Sequence, residues 1–246
     1  MITYLKGTVF NAPVKTLVNT VNCSGVMGAG IALEFKLRFP EMFDDYVKKC
    51  ESKQIKIGVL HIYKYSEKLW IMNLPTKIHW RFPSKLEWIE QGLKYFAENY
   101  EKVNIESIAF PKLGTYNGGL DWNEVRLLME RYLKDVNLPV YICLDELNEA
   151  EGIEKNMVDG LNNSTIEELI KEVKLTRKQA ENVINKLPVK RFFHILKLSR
   201  IGIKTYEKLF HYYYTRSVIT RSDIGTSPKN ADKVTTEEKY EQLSLF

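Results

Sequence analysis

The chain predicts an α/β protein, a mixed central sheet with helices on both faces, followed by a small basic helical module and a polar tail. Three observations carry this. In residues 1–150, short β-branched runs alternate with longer amphipathic stretches, the pattern of a sheet covered by helices. Residues 171–221 hold thirteen Lys and Arg against three acids, a net +10, whereas the remainder has 36 − 13 = 23 basic and 31 − 3 = 28 acidic residues, a net −5. From residue 217 onward Ser, Thr, Asp, Lys and Glu dominate, and little apolar surface is left to offset chain entropy.

The elements follow in order. Strands are expected at 16–21, 59–63, 69–73, 105–110 and 140–144, where Val, Ile, Leu and aromatic residues cluster. Helices are expected at 31–39, 41–53, 85–100 and 122–134. Ser84 followed by Glu87 has capping-box spacing before the third helix, and Asp121 followed by Glu124 before the fourth. The first domain is thus bounded at 1–150, and 151–164 looks like a linker within a polar stretch rich in Asn, Glu and Gly. A compact module at 165–216 contains helical stretches at 165–172, 176–187, 192–198 and 205–214. Its first two helices have spacing compatible with a helix-turn-helix. The tail occupies 217–246.

Composition narrows the class. A chain of 246 residues with 44% hydrophobic content supports one substantial core and a smaller module. No apolar run approaches the roughly 20 residues of a membrane span, and the N-terminus lacks the basic-then-apolar order of a signal peptide. Cys23, Cys50 and Cys143 are odd in number and widely spaced, without a metal or disulfide pattern. A cytoplasmic location is expected, with no metal and no cofactor. A module at +10 suggests a polyanionic partner, because neutralising phosphates needs this density of cations.

Two glycine-bearing loops follow strands and open helices. The first is Asn22-Cys23-Ser24-Gly25-Val26-Met27-Gly28-Ala29-Gly30, leading into Ile31; the second is Gly114-Thr115-Tyr116-Asn117-Gly118-Gly119. Glycine permits close backbone approach, and a helix N-terminus offers N–H groups and positive dipole to an anion. Two such loops in one α/β domain could cradle a diphosphate.

These residues carry a family resemblance. Val18-Asn19-Thr20-Val21-Asn22-Cys23 followed by Gly28-Ala29-Gly30-Ile31-Ala32 resembles the first substrate loop of macrodomains, which bind ADP-ribose. Phe110-Pro111-Lys112-Leu113-Gly114 followed by Gly118-Gly119-Leu120-Asp121-Trp122 resembles the second. Asn73-Leu74-Pro75-Thr76-Lys77-Ile78-His79-Trp80-Arg81 is similar to a segment of the DarG-like branch, bacterial antitoxins that act as DNA ADP-ribosyl glycohydrolases. The resemblance covers about residues 1–145. It implies that Asn22 contacts the distal ribose and that Lys77 is the residue on which cleavage depends. It also implies that Thr8 and Val9 lie at the base, and that Gly25, Val26, Gly28, Gly30 and Ile31 share the diphosphate and ribose with 114–119. A lysine of lowered pKa suits N-glycosidic cleavage, as acid or as nucleophile. His79 and Trp80 are expected to support the loop.

Two departures from the family pattern matter. Thr8 stands where macrodomains usually carry an acid for the adenine amino group, and it accepts that hydrogen bond more weakly. Gly118 stands where a protein-directed glycohydrolase relative has a catalytic aspartate, which favours nucleic-acid substrates over glutamate esters. The terminal Gln242-Leu243-Ser244-Leu245-Phe246 resembles the bacterial sliding-clamp-binding pentapeptide, with Gln242 to hydrogen-bond and Leu243, Leu245 and Phe246 to fill an apolar pocket. The expected partners are ADP-ribosylated DNA, the clamp and a cognate ADP-ribosyltransferase toxin. The expected function is removal of ADP-ribose from DNA bases in an antitoxin or repair role. A non-catalytic ADP-ribose reader and a toxin-masking interaction protein are the alternatives.

Overall fold

A computed structural model describes residues 1–223, the side chains as far as Ile219. The chain divides into two compact units, one spanning Met1–Glu146 and one beginning at Leu147.

The first unit is a six-stranded sheet in the order β1-β6-β5-β2-β4-β3. Its strands are β1 (Ile2–Leu5), β2 (Thr16–Asn22), β3 (His61–Ser66), β4 (Leu69–Lys77), β5 (Ile108–Pro111) and β6 (Val140–Cys143). All neighbours run parallel except β3, which pairs antiparallel with β4 at the edge. Alternation along the strands divides the apolar residues between two faces. Val18, Met72, Leu74, Phe110 and Ile142 pack beneath α3 (Leu86–Asn99) and α4 (Trp122–Leu133). Leu17, Val21, Ile71, Ala109 and Cys143 pack beneath α1 (Gly30–Arg38) and α2 (Pro40–Glu51). Adjacent strands β2 and β5 therefore feed helices on opposite faces. The crevice beyond their carboxyl ends is the topological switch point, where open α/β sheets bind ligands.

One strand goes unread in the sequence and one local expectation fails. Strand β1 is missed by the sequence reading, being four residues at the sheet edge with two of them exposed. Ser84 does not cap α3: the N-cap residue is Lys85, without a side-chain hydrogen bond. Ser84 instead donates its backbone N–H to Gly118 O at 2.9 Å, a tertiary contact that overrides the local motif. Asp121 does cap α4, accepting from the N–H groups of Asn123 and Glu124.

The second unit is helical. The expected linker at 151–164 is instead helix α5 (Gly152–Asn162), which buries Glu154, Met157, Val158 and Leu161. Helices α6 (Ile166–Lys171), α7 (Arg177–Ile184) and α8 (Ile203–Asp223) follow, with a 3-10 turn at Phe192–Lys197. Phe192 centres the core, with its ring 5.8, 5.7 and 6.2 Å from those of Tyr206, Phe210 and Tyr213. Arg191 is buried rather than displayed: its Nε donates to both Glu154 carboxylate oxygens, at 3.0 and 2.9 Å, and Phe192 N donates to the same carboxylate at 2.8 Å. The expected tail boundary at 217 is also displaced, because α8 continues to Asp223 and Ser217 is buried. The clamp-like peptide Gln242, Leu243, Leu245 and Phe246 lies outside the described residues. Among the described residues no helix is long and apolar enough to cross a membrane.

Candidate active site

The carboxyl ends of β2, β4 and β5 bring Asn22, Lys77 and the second glycine loop together. Asn22 ends β2 and is buried, and its side chain organises the first loop. Its Nδ2 donates to Val26 O at 2.6 Å, while Oδ1 accepts from Ser24 N at 2.9 Å, Ser24 Oγ at 2.7 Å and Val26 N at 3.4 Å. Tyr46 of α2 supports this hub from below, its hydroxyl donating to Asn22 O at 2.6 Å. Burial raises the Tyr46 pKa, so the phenol stays protonated and able to donate. Tyr46 was not singled out in the sequence, and nothing in its local pattern distinguishes it from an ordinary core tyrosine.

The first loop then passes Gly25, Val26 and Gly28 into α1. The N-cap residue, Ala29, offers no side-chain hydrogen bond, so the first N–H groups of α1, around Gly30 and Ile31, are left for a ligand. Gly30 has φ +57°, and a Cβ there would lie 2.6 Å from Asn117 Nδ2 of the second loop. Glycine is required twice over, by the left-handed backbone and by the approach of the two loops. Cys23 follows Asn22 directly, but burial pushes its thiol up to about 11, so it is no nucleophile at neutral pH.

The second loop is held chiefly by its own backbone. Gly118 N and Gly119 N both donate to Thr115 O, at 2.8 and 2.5 Å, and Leu120 N closes the turn on Gly114 O at 3.1 Å. Thr115 Oγ1 donates to Lys112 O at 3.2 Å. The helix it opens, α4, already has its N-terminus filled by the Asp121 carboxylate. Of the two glycine loops, only the first therefore leads to a helix end free of a side-chain cap. Gly118 is buried, and a Cβ there would lie 2.5 Å from Ser84 Oγ, so the missing aspartate has no room without displacing Ser84.

Lys77 is the last residue of β4, not a loop residue beyond it, and its ammonium donates to the backbone carbonyl of Asn117. Partial burial lowers its pKa. Cys23 N donates to Lys77 O at 3.0 Å, which ties this strand end to the first loop as well. Thr8 precedes the short 3-10 turn Val9–Asn11, and its side chain makes no cap hydrogen bond, while Val9 is buried under the α1/α2 face. A ladder missed in the sequence lies behind the cleft: Asn19 Nδ2 donates to Asn73 Oδ1 at 2.9 Å, and Asn73 Nδ2 meets His61 Nδ1 at 3.3 Å. It couples β2, β4 and β3 across the sheet.

The first unit has counterparts among known proteins. The Macro domain family matches residues 18–129. A DNA ADP-ribosyl glycohydrolase of Thermus aquaticus is 44% identical over 137 residues, which cover 54% of this chain and 38% of that protein. One of Mycobacterium tuberculosis is 44% identical over 160 residues, covering 63% and 46% respectively. The chain thus spans less than half the length of these curated relatives. The solved macrodomain of Thermus aquaticus DarG is 41% identical with a TM-score of 0.56, and the alignment covers 58% of this chain and 98% of that domain. The structure of Thermosipho africanus DarTG in complex with ADP-ribose is 33% identical with a TM-score of 0.57, covering 63% of this chain and 44% of that one. The sheet order, the two glycine loops at its switch point and a relative covered almost end to end agree: through its first unit, the chain belongs to the macrodomain family.

Proposed function

We propose that this protein is a DNA ADP-ribosyl glycohydrolase, which hydrolyses the bond between ADP-ribose and a DNA base. The observation that carries the reading is Lys77, a lysine of lowered pKa at the end of β4, bonded to the second loop and tied to the first. Supporting it, the relatives named for this activity match the same region at 44% identity.

The diphosphate sits at the uncapped N-terminus of α1, with Gly25, Val26, Gly28, Gly30 and Ile31 as its floor. Thr115, Tyr116, Asn117, Gly118 and Gly119 form the opposite wall, and Thr8 and Val9 receive the adenine. Asn22 holds the first loop in shape and offers its second Nδ2 proton to the distal ribose. The C1″–N bond breaks with its electron pair going to the base, whose nitrogen takes a proton. A water oxygen adds to C1″ and loses a proton, so that one water is consumed and the products are ADP-ribose and the unmodified base. Lys77 serves this in one of two ways: its neutral amine displaces the base at C1″ and the water then cleaves the Lys77–C1″ bond, returning the free amine, or its ammonium delivers the proton to the departing base nitrogen and the water adds directly. Gly118 carries no carboxylate, so an aspartate-assisted route on protein esters has no group to run it here.

The +10 segment supplies phosphate contacts, the terminal pentapeptide supplies a clamp address, and the source of the modification is a cognate ADP-ribosyltransferase in the bacterial cytoplasm. The name of the Thermosipho africanus fusion protein, which joins a DNA ADP-ribosyl transferase to the glycohydrolase, supports that pairing. Incubating the full chain with an ADP-ribosylated oligonucleotide should release free ADP-ribose. Lys77→Ala should abolish release while ADP-ribose affinity stays within about tenfold, or ~1.4 kcal/mol. The bare Gly118 position favours one other reading, a non-catalytic reader of ADP-ribose; binding without release by the wild-type chain would establish it.

A further inference from the structure

The segment between Lys77 and Ser84 is pinned to the second loop at both ends. Lys77 bonds to Asn117 O, and Ser84 N bonds to Gly118 O at 2.9 Å. Between these anchors the chain turns tightly, with Phe82 N donating to His79 O at 3.1 Å and Arg81 N to His79 Nδ1 at 3.3 Å. The turn presents apolar side chains to solvent. Trp80 is 46% exposed and Phe82 60%, and on the adjoining loop Tyr116 is 85% exposed, far more than large aromatics in a folded domain usually are. The rings form a platform. His79 stacks on Trp80 with centroids 5.7 Å apart and an interplanar angle of 28°, and lies 5.5 Å from Phe82.

Cations are interleaved with the rings. Arg81 lies over Trp80 at 4.8 Å, and Lys85 lies over Trp88 at 5.2 Å. From 77 to 88 there are three cations, Lys77, Arg81 and Lys85, against one acid, Glu87. A surface meant for a hydrophobic protein partner has no need of this alternation. A strand of unpaired nucleotides does: each base offers a π-face for a ring and each linkage a phosphate for a cation.

Resting on the proposed glycohydrolase reading, we infer that Trp80, Phe82 and His79, flanked by Arg81 and Tyr116, form a base-stacking subsite. It holds a nucleotide next to the modified one on an unpaired strand of DNA. The modified base at Lys77 is then fixed from two sides, by its ADP-ribose in the cleft and by its neighbour on the rings. The platform restricts the substrate to strands whose bases are free of a complementary stack, because a base inside a duplex has both faces covered.

The test uses the full chain and compares an oligodeoxythymidylate of about ten nucleotides, within the footprint of small single-strand binders, with an abasic oligonucleotide of equal length and charge. Phosphate contacts elsewhere in the protein contribute equally to both, so the ratio of the two affinities isolates the bases. By fluorescence anisotropy the wild type should prefer the base-bearing strand by about tenfold, or ~1.4 kcal/mol. The Trp80→Ala/Phe82→Ala variant should show a ratio near one. Trp80→Phe, which keeps a ring, should retain most of the preference. Both side chains are exposed, so loss through unfolding is not expected, and the tryptophan emission of Trp70, Trp88 and Trp122 checks it. A ratio unchanged in the double variant overturns the subsite and leaves the patch to a protein partner. Because the oligonucleotides are unmodified, this failure is separate from failure of the glycohydrolase reading, which would be absence of ADP-ribose release by the wild type.

Discussion

The two loops that line the cleft are built by opposite means. The first is organised by a side chain: the Asn22 amide makes four hydrogen bonds, two with Val26 and two with Ser24, and Tyr46 is braced beneath on the Asn22 carbonyl. The second is organised chiefly by backbone, through Thr115 O, Gly114 O and a glycine-rich turn, with the Thr115 hydroxyl adding one bond to Lys112 O. The helix ends differ in the same sense. α1 opens without a side-chain cap and α4 opens with the Asp121 carboxylate in place. A loop that must present N–H groups to an anion keeps its helix end free and fixes its shape by a buried polar hub. A loop that must present a wall and a carbonyl, here Asn117 O to Lys77, caps its helix and needs no hub.

That contrast can be broken at the hub first. Asn22→Ala should cost the sheet unit roughly 3 kcal/mol, since buried donors around the loop lose their acceptor. It should also remove measurable ADP-ribose binding. Urea unfolding followed by tryptophan emission reports on this unit, because Trp70, Trp80, Trp88 and Trp122 all lie in it. A stability within about 0.5 kcal/mol of wild type, the range of a surface substitution, would show that the hub is ornamental.

A smaller effect is expected where the loops meet. Gly30→Ala forces a side chain into positive φ and against Asn117, which should cost about 1–2 kcal/mol and weaken ADP-ribose binding about tenfold, by calorimetry. Asn117→Ala alone should change stability by less than about 0.5 kcal/mol, since Lys77 bonds to the backbone at 117 and not to its side chain. The double variant should recover part of the Gly30→Ala loss, and strict additivity would argue that the two residues do not touch.

The pH profile sharpens the comparison without any substitution. Burial lowers the Lys77 pKa, so its neutral amine becomes the majority form at a lower pH than that of an ordinary lysine. If the amine attacks C1″, kcat should rise with pH and level off below the usual lysine range, and this is the outcome expected. A fall over the same window would assign the proton-donor role, because the ammonium is then the working form.

Much of the cleft was legible in the sequence, and what was not has identifiable causes. The glycine loops declared themselves because Gly30 and Gly118 mark backbone positions that tolerate no side chain. Lys77 was found through resemblance, not through local pattern, and its place on β4 rather than after it was missed. Helix α5 was hidden by its polar composition, though Ile153, Met157, Val158 and Leu161 recur at helical spacing on one face. Ser84 was misread because a capping motif is local and its real partner, Gly118, is 34 positions away in the chain. Tyr46 and the Asn19–Asn73–His61 ladder depend on tertiary neighbours that no spacing rule encodes.

The pairing of Glu154 with Arg191 sets where the protein can be divided. The two are 37 positions apart, and both are buried. Removing either strands the other's charge in an apolar interior, at a cost of about 3–5 kcal/mol. A helical fragment begun at 165, where composition suggests a boundary, would lack the carboxylate that neutralises the buried Arg191 guanidinium. A piece cut for exchange, grafting or separate expression should therefore begin at Leu147, beyond the end of the last strand at Cys143.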